Sequence, residues 1–179
     1  MLWLTQEHVN TLVQAAQQGA PEEVCGLIVG IGNRVTQIIP IPNAAANPIT
    51  RYEMDAKAQF EAMRDADQAG LAIIAFYHSH PKGDPIPSET DIREAFYGDT
   101  PYLIIGLKGI QPQLAAWSIQ NMRVTPVPLH VGFTMPETNP DENPLSRAQV
   151  IAILASAVIA LVILLIVSIN LLPPAPPIP

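Results

Sequence analysis

No charged residue occurs between residues 148 and 172, and most positions in that stretch are Ile, Leu, Val or Ala. As an α-helix rising 1.5 Å per residue, about 25 residues extend about 37 Å, enough to cross a hydrocarbon core of about 30 Å with some tilt. A buried core helix of this length would be expected to carry a polar face. The run therefore divides the chain. A globular domain must precede it, and residues 148–172 are expected to form one transmembrane helix in contact with the lipid bilayer. It also accounts for a hydrophobic fraction of 49% and a mean hydropathy of +0.23, high for a soluble domain.

Residues 133–147 read as a linker, since 133–146 hold three prolines, two asparagines and no apolar period. Residues 173–179 form a Pro-rich, uncharged tail. Met1, Leu2, Trp3 and Leu4 are too few for the apolar core of a signal peptide, and no basic segment precedes them. The expectation is a single-pass C-terminal anchor, with the preceding domain left in the cytoplasm. Arg147 on the N-terminal flank agrees with this orientation under the positive-inside rule.

Residues 1–132 carry the rest of the information. The formal net charge of the chain is -7, with a sequence pI of about 4.9 and no basic run. That disfavours a nucleic-acid partner, which needs clustered Lys and Arg. Cys25 is the sole cysteine, so neither an intramolecular disulfide nor a Cys-rich zinc ribbon can form.

Val9, Leu12, Val13 and Ala16 follow helical spacing within a helix expected over 5–18, with Gly19 suited to its C′ position. Residues 24–31 and 35–41 read as paired strands across a Gly32-Asn33-Arg34 turn, followed by a loop over 43–52. Asp55 is placed to cap a second helix through Ala69, with Ala56, Phe60 and Met63 expected inward and Gly70 ending it. Residues 71–77 read as a buried strand, and Ser88 opens a short helix to about Tyr97. Three more strands are expected over 102–107, 113–119 and 123–129. The fold class is α+β.

The chemistry concentrates in residues 77–91, Tyr-His-Ser-His-Pro-Lys-Gly-Asp-Pro-Ile-Pro-Ser-Glu-Thr-Asp. In an extended segment, His78 and His80 point to one side and Ser79 to the other. A lone His-x-His is weak evidence of a metal site. Asp91 is a candidate third ligand, because Pro81, Gly83, Pro85 and Pro87 favour an irregular loop that can fold back. Two histidines and an aspartate would leave a fourth zinc position open for water, which marks a catalytic site. Ser88 and Asp91 also fit a capping box, and a capped first turn would hold Asp91 rigidly. Glu22 and Glu23, ahead of the apolar run at Val24, are the candidate proton shuttles. Partial burial would raise such a carboxyl toward neutrality.

Glu23, His78-Ser79-His80, seven residues, Ser88, two residues and Asp91 together resemble the JAMM signature of the JAB/MPN metallopeptidases. Residues 23–30, Glu-Val-Cys-Gly-Leu-Ile-Val-Gly, are similar to the strand that carries that family's glutamate. The resemblance covers roughly residues 1–130 and selects Glu23 over Glu22. It implies a mixed β-sheet flanked by helices, similar to the cytidine deaminase architecture, with His78, His80 and Asp91 as ligands of Zn2+. Glu23 would take a proton from the attacking water and return it to the leaving amine, while Ser88 would help stabilise the oxyanion. The implied activity is hydrolysis of peptide or isopeptide bonds. The scissile bond often follows the C-terminal Gly-Gly of a ubiquitin-like protein.

The ubiquitin-holding insertions of deubiquitinating members are missing. The chain looks more like short bacterial members, some linked to trimming of sulfur-carrier proteins. A membrane anchor is not part of that common pattern. A non-catalytic interaction scaffold at the membrane is the alternative. A zinc deaminase would need a Pro-Cys-x-x-Cys element that one cysteine cannot supply. Sulfur transfer through Cys25 ranks lower still, since a free cysteine in a strand usually packs as a small hydrophobe.

Overall fold

The computed structural model describes residues 1–132 and 147–170, with side chains in the second range at 152–164. The chain forms two compact units, divided after Met135. The first is an α+β unit built on one mixed sheet. In chain order its elements are β1 (Leu2–Leu4), α1 (Gln6–Gly19), β2 (Cys25–Ile31), β3 (Arg34–Ile41), α2 (Ala56–Gln68) and β4 (Ala72–His80). They continue with α3 (Glu89–Arg93), β5 (Tyr102–Gly106), β6 (Gln113–Gln120), β7 (Arg123–Val127) and β8 (Leu129–Val131).

The strand order is β7-β6-β5-β4-β2-β3-β1-β8. β2 runs antiparallel to both β3 and β4, and β4 runs parallel to β5. From β5 the sheet continues as an antiparallel meander through β6 and β7. On the other side β1 pairs in parallel with β3 and β8. β7 and β8 occupy opposite ends of this order, yet only Pro128 separates them in the chain. The sheet must therefore curl until its two ends approach each other. The Leu2 N–H donates to the Pro128 carbonyl at 2.9 Å, at the junction.

Alternation along the strands divides the core in two. Ile28, Ala75, Tyr77, Leu103 and Ile105 pack with Leu12 and Ala16 of α1, and with Leu2 and Leu4. Leu27, Val29, Phe76, Tyr102 and Ile119 pack on the other face with Ala66 of α2. His78 lies two residues beyond Phe76, so it follows Phe76 onto the α2 face. Both long helices are capped. Asp55 accepts from the Ala58 N–H at 2.8 Å. Thr5 Oγ1 accepts from the His8 N–H at 3.2 Å, and His8 Nδ1 accepts from the Thr5 N–H at 3.3 Å. His8 thus closes a capping box, and burial lowers its pKa, which keeps the ring neutral for that acceptor role.

Several boundaries differ from the sequence reading. β1 was hidden in a three-residue segment too short to show a period. The strand expected over 123–129 is two strands, because Pro128 cannot donate to a ladder and the chain changes partners there. β4 extends through His80, so both histidines are strand residues. The helix after Ser88 ends at Arg93 rather than near Tyr97. Gly19 is the last helical residue, not C′, and a Cβ there would collide with Val24. Its smallness serves the approach of α1 to the start of β2.

The second unit contains α4 (Arg147–Asn170), where the transmembrane helix was expected. Its side chains from 152 to 164 are all exposed. Among the described residues, no helix is long and apolar enough to cross a membrane. The expected span over 148–172 is corrected to that extent. The expected linker, apart from Arg147, and the expected tail lie outside the described residues.

Gly26 shows how tightly the centre of the sheet is built, since an added Cβ would collide with the Ile39 carbonyl and the Tyr77 ring. Gly26→Ala is expected to destabilise the first unit by about 2–3 kcal/mol through overpacking. Urea denaturation followed by circular dichroism reads this directly, and a wild-type midpoint would contradict the packing described.

Candidate metal centre

The site is assembled by two cross-strand contacts. Cys25 of β2 sits opposite His78 of β4. Beyond the end of β2, Val24 N–H donates to Ser79 Oγ at 3.0 Å, and Ser79 N–H donates to the Val24 carbonyl at 2.9 Å. Ser79 is fully buried on the face opposite the histidines. It fastens β4 to the residue next to Glu23.

His78 and His80 project from one face of β4, with their Nε2 atoms 3.0 Å apart. One Asp91 oxygen, Oδ2, lies 3.5 Å from His78 Nε2 and 3.3 Å from His80 Nε2. The three side chains are 1%, 12% and 9% exposed, respectively. Ligands held about 2.0–2.1 Å from a tetrahedral zinc ion stand about 3.3–3.4 Å from one another. The spacings here match that triangle, and all three atoms can present lone pairs. The cluster fits Zn2+ in donor type and spacing.

Each ligand is held differently. The loop over residues 81–87 turns back so that α3 can deliver Asp91. Trp117 Nε1 pins it by donating to the Pro85 carbonyl at 2.8 Å. At the start of α3 the Ser88 N–H donates to Asp91 Oδ2 at 2.6 Å, and the Asp91 N–H donates to Ser88 Oγ at 3.1 Å. The capping-box geometry and the ligand geometry therefore coexist in Asp91. His80 Nδ1 lies 3.0 Å from the Asp84 carbonyl. Donation there fixes the tautomer and leaves Nε2 free to ligate. His78 Nδ1 has no hydrogen-bond partner among the described residues. Instead the Tyr52 ring stacks on His78, with centroids 4.3 Å apart and planes at 20°.

Burial alone would raise Asp91, but hydrogen bonds with His78 and His80 reverse this and hold its carboxyl far below the usual range. Burial lowers His78. For His80, burial pulls downward but is outweighed by Asp91 and the Asp84 carbonyl, and the net shift is upward. Burial pushes Cys25 up to about 12, so its thiol stays protonated and inert. Glu23 is 7% exposed, whereas Glu22 is exposed. Desolvation, with His80 opposing and Asp91 adding to it, raises Glu23 from 4.5 to about 7.

Glu23, His80, Ser88 and Asp91 line one cleft of about 180 Å³, together with Arg51 and Lys82. A larger groove of about 360 Å³ adjoins it and shares Arg51, Thr90 and Asp91. Its walls include Tyr52, Met54, Phe76, Phe96, Tyr97 and Tyr102. Arg51 stands between the two and pairs with Glu94 at 3.2 Å and Glu53 at 3.6 Å. Tyr52 and Arg51 were missed by sequence reasoning, which read residues 43–52 only as a loop. An aromatic and an arginine side by side in an Asn/Pro-rich segment were the available signal.

The Glu23 carboxyl has a consequence for stability. Its folded value lies above its ordinary one, so folding favours the protonated form. That contribution is full below about 4.5 and is lost as pH rises through about 7. Glu23→Gln is neutral throughout. In metal-free protein, its stability relative to the parent is expected to rise by on the order of 2 kcal/mol between pH 5 and pH 8. Urea melts at the two pH values measure the difference, and a pH-independent offset would show that Glu23 is not desolvated.

Residues 5–120 match the family described as prokaryotic homologs of the JAB domain. The chain is 41% identical over 92 residues to a probable TtuB-protein conjugate cleaving protease of Thermus thermophilus, covering 51% of this chain and 61% of that protein. It is 36% identical over 106 residues to a desampylase of Haloferax volcanii, covering 56% of this chain and 76% of that protein. Among solved structures, protein DSY2949 from Desulfitobacterium hafniense superposes with a TM-score of 0.68 at 28% identity. That match covers 75% of this chain and 95% of the other. The family match takes in every residue of the metal cluster and its neighbouring carboxyl, and the chain belongs to the JAB-domain family in its prokaryotic branch.

Proposed function

We propose that this chain is a JAMM-type zinc peptidase or isopeptidase. In this reading it hydrolyses the bond after the C-terminal Gly-Gly of a ubiquitin-like or sulfur-carrier protein. One observation carries the proposal. Three ligand atoms converge beside a buried carboxyl whose pKa of about 7 suits proton transfer in both directions. The Thermus relative is named as a probable protease that cleaves a protein conjugate and the Haloferax relative as a desampylase, and the first of these names supports a protein-conjugate substrate here. The chain spans about three fifths of the length of the Thermus relative.

His78 and His80 would hold zinc through Nε2, and Asp91 through its carboxylate. A bound zinc ion supplies Lewis acidity and lowers the pKa of water. Glu23 accepts the proton of the attacking water at its carboxylate and donates it to the nitrogen of the leaving amine. A group with a pKa near the working pH can do both. Ser88 Oγ accepts from the Asp91 N–H, and its own hydrogen remains free to donate to the developing oxyanion. Because Glu23 and Ser88 line the smaller cleft, the leaving amine is assigned there. The acyl chain runs into the aromatic groove across Arg51.

Attachment to a membrane through residues 148–172 is the second part of the reading. It is supported by the uncharged run and by exposure of the apolar side chains Ile153, Leu154, Val158, Ile159, Leu161 and Val162 of α4. A helix that exposes apolar residues on all sides is stable in lipid rather than in water. The arrangement would confine the domain at residues 1–132 to the cytoplasmic membrane surface.

The activity is tested by intact-mass analysis of a ubiquitin-like protein carrying extra residues after its Gly-Gly, incubated with the zinc-loaded chain. Cleavage after Gly-Gly is expected, with Glu23→Gln slower by about 10²–10⁴-fold and still metal-bound. Full turnover by Glu23→Gln would remove Glu23 from the mechanism. An intact substrate alongside a zinc-loaded parent would favour a scaffold role. The anchor is tested by alkaline carbonate extraction of expressing cells. The full chain is expected to stay in the membrane pellet and residues 1–135 in the supernatant. Extraction of the full chain would end the anchor reading.

A further inference from the structure

We propose that Asn43 is a positioning residue, whose one side chain holds both the proton shuttle and a metal ligand in place. The roles of Glu23 and His78 are those of the proposed function, on which this inference rests. Asn43 follows β3 and forms a single bridge with Met54. Its Nδ2 donates to the Glu23 carbonyl at 2.9 Å and to the Arg51 carbonyl at 3.1 Å. Its Oδ1 accepts from the Ala45 N–H and the Glu53 N–H, both at 3.0 Å. Two donations and two acceptances use the full capacity of a side-chain amide. No other residue type of this size offers both.

The partners are the significant part. The Glu23 carbonyl belongs to the shuttle residue. The Arg51 carbonyl and the Glu53 N–H bracket Tyr52 on both sides. Tyr52 is the ring stacked on His78. A metal-binding histidine is normally oriented by a hydrogen bond from its second nitrogen. His80 has that bond, to the Asp84 carbonyl. His78 Nδ1 has none among the described residues, so its ring plane depends on packing. The Tyr52 face supplies that packing, and Asn43 sets where Tyr52 sits. The same amide therefore fixes the separation between Glu23 and the His78 ring.

The experiment uses the full chain and separates the two halves of the amide. Asn43→Asp keeps the shape and both acceptor bonds, but turns both donor contacts into repulsions. Asn43→Ala removes all four. Thr5→Ala, at the distant α1 cap, is the control for a general loss of stability. At a temperature where circular dichroism shows every variant folded, kcat on the Gly-Gly extension substrate is expected to fall about 10–100-fold in Asn43→Asp. KM should stay within about threefold, because Asn43 acts through the Glu23 and Arg51 carbonyls rather than on the substrate, and Thr5→Ala should retain parental kcat.

The activity-independent readout is the ring-current shift that Tyr52 imposes on the His78 ring protons, seen by NMR in zinc-loaded protein. Tyr52→Leu defines its loss, and Asn43→Ala is expected to reproduce most of that change. Parental kcat in Asn43→Asp, or parental His78 resonances in either Asn43 variant, would overturn the proposal. A parent without turnover would sink the peptidase reading and leave the resonances to decide Asn43 alone.

Discussion

Everything in the site hangs on the pair of hydrogen bonds between Val24 and Ser79, which joins positions 55 residues apart. It sets the register of β2 against β4 just where the sheet ends. On one side of that junction Glu23 leaves the strand, and on the other His78 and His80 face the cleft. A register shift of one residue would turn both imidazoles to the α1 face, because strand side chains alternate. Ser79 is buried, so its hydroxyl costs free energy unless paired, and Val24 supplies the pair. The middle residue of the His-Ser-His triplet is thus a structural requirement of the two that flank it.

Two carboxyl groups share the cleft and are driven in opposite directions. Asp91 accepts from the Ser88 N–H and faces two imidazoles, so its ionised form is favoured despite burial. Glu23 is desolvated without a comparable set of donors, and rises to about 7. One is suited to remain an anion beside a cation, and the other to exchange a proton near neutral pH. The difference comes from the capped turn at Ser88 in one case and the buried mouth of β2 in the other.

Much of this was legible in residue order. The α1 helix over Leu12, the β2–β3 hairpin and the α2 cap at Asp55 follow from local periodicity and capping chemistry, which a short window contains. The buried face of α2 does not: Ala56 and Phe60, expected inward with Met63, are exposed, and the small residues Ala58, Ala62 and Ala66 pack beside Met63 where the helix lies close to the sheet. The spacing of His78, His80, Ser88 and Asp91 was readable for the same reason, since one strand, one pinned loop and one capped turn carry all four. Glu22 and Glu23 were not separable by local chemistry; only the family resemblance chose between them. Their burial depends on the approach of the chain around Pro48, which accepts from the Glu23 N–H at 2.7 Å. Tyr52, Arg51 and Asn43 were missed because an irregular segment has no period to read. β1 and β8 were missed because their pairing joins the two extremes of the unit.

That last pairing has a consequence for how the unit comes to exist. Leu2 meets Leu129 in β1–β8, the longest sequence separation in the sheet, whereas Glu23 to Asp91 fall within its interior strands and α3. Closing so distant a contact carries a large loop entropy and weighs on folding speed. On a chain emerging from a ribosome, the metal-binding half can be complete while the strand that shuts the curl is still unmade. The N-terminal strand must then wait, unpaired on its β8 side, until Val131 appears. Assembly of the cleft between Glu23 and Asp91 and closure of the sheet are separable events in the life of this chain, joined at Pro128.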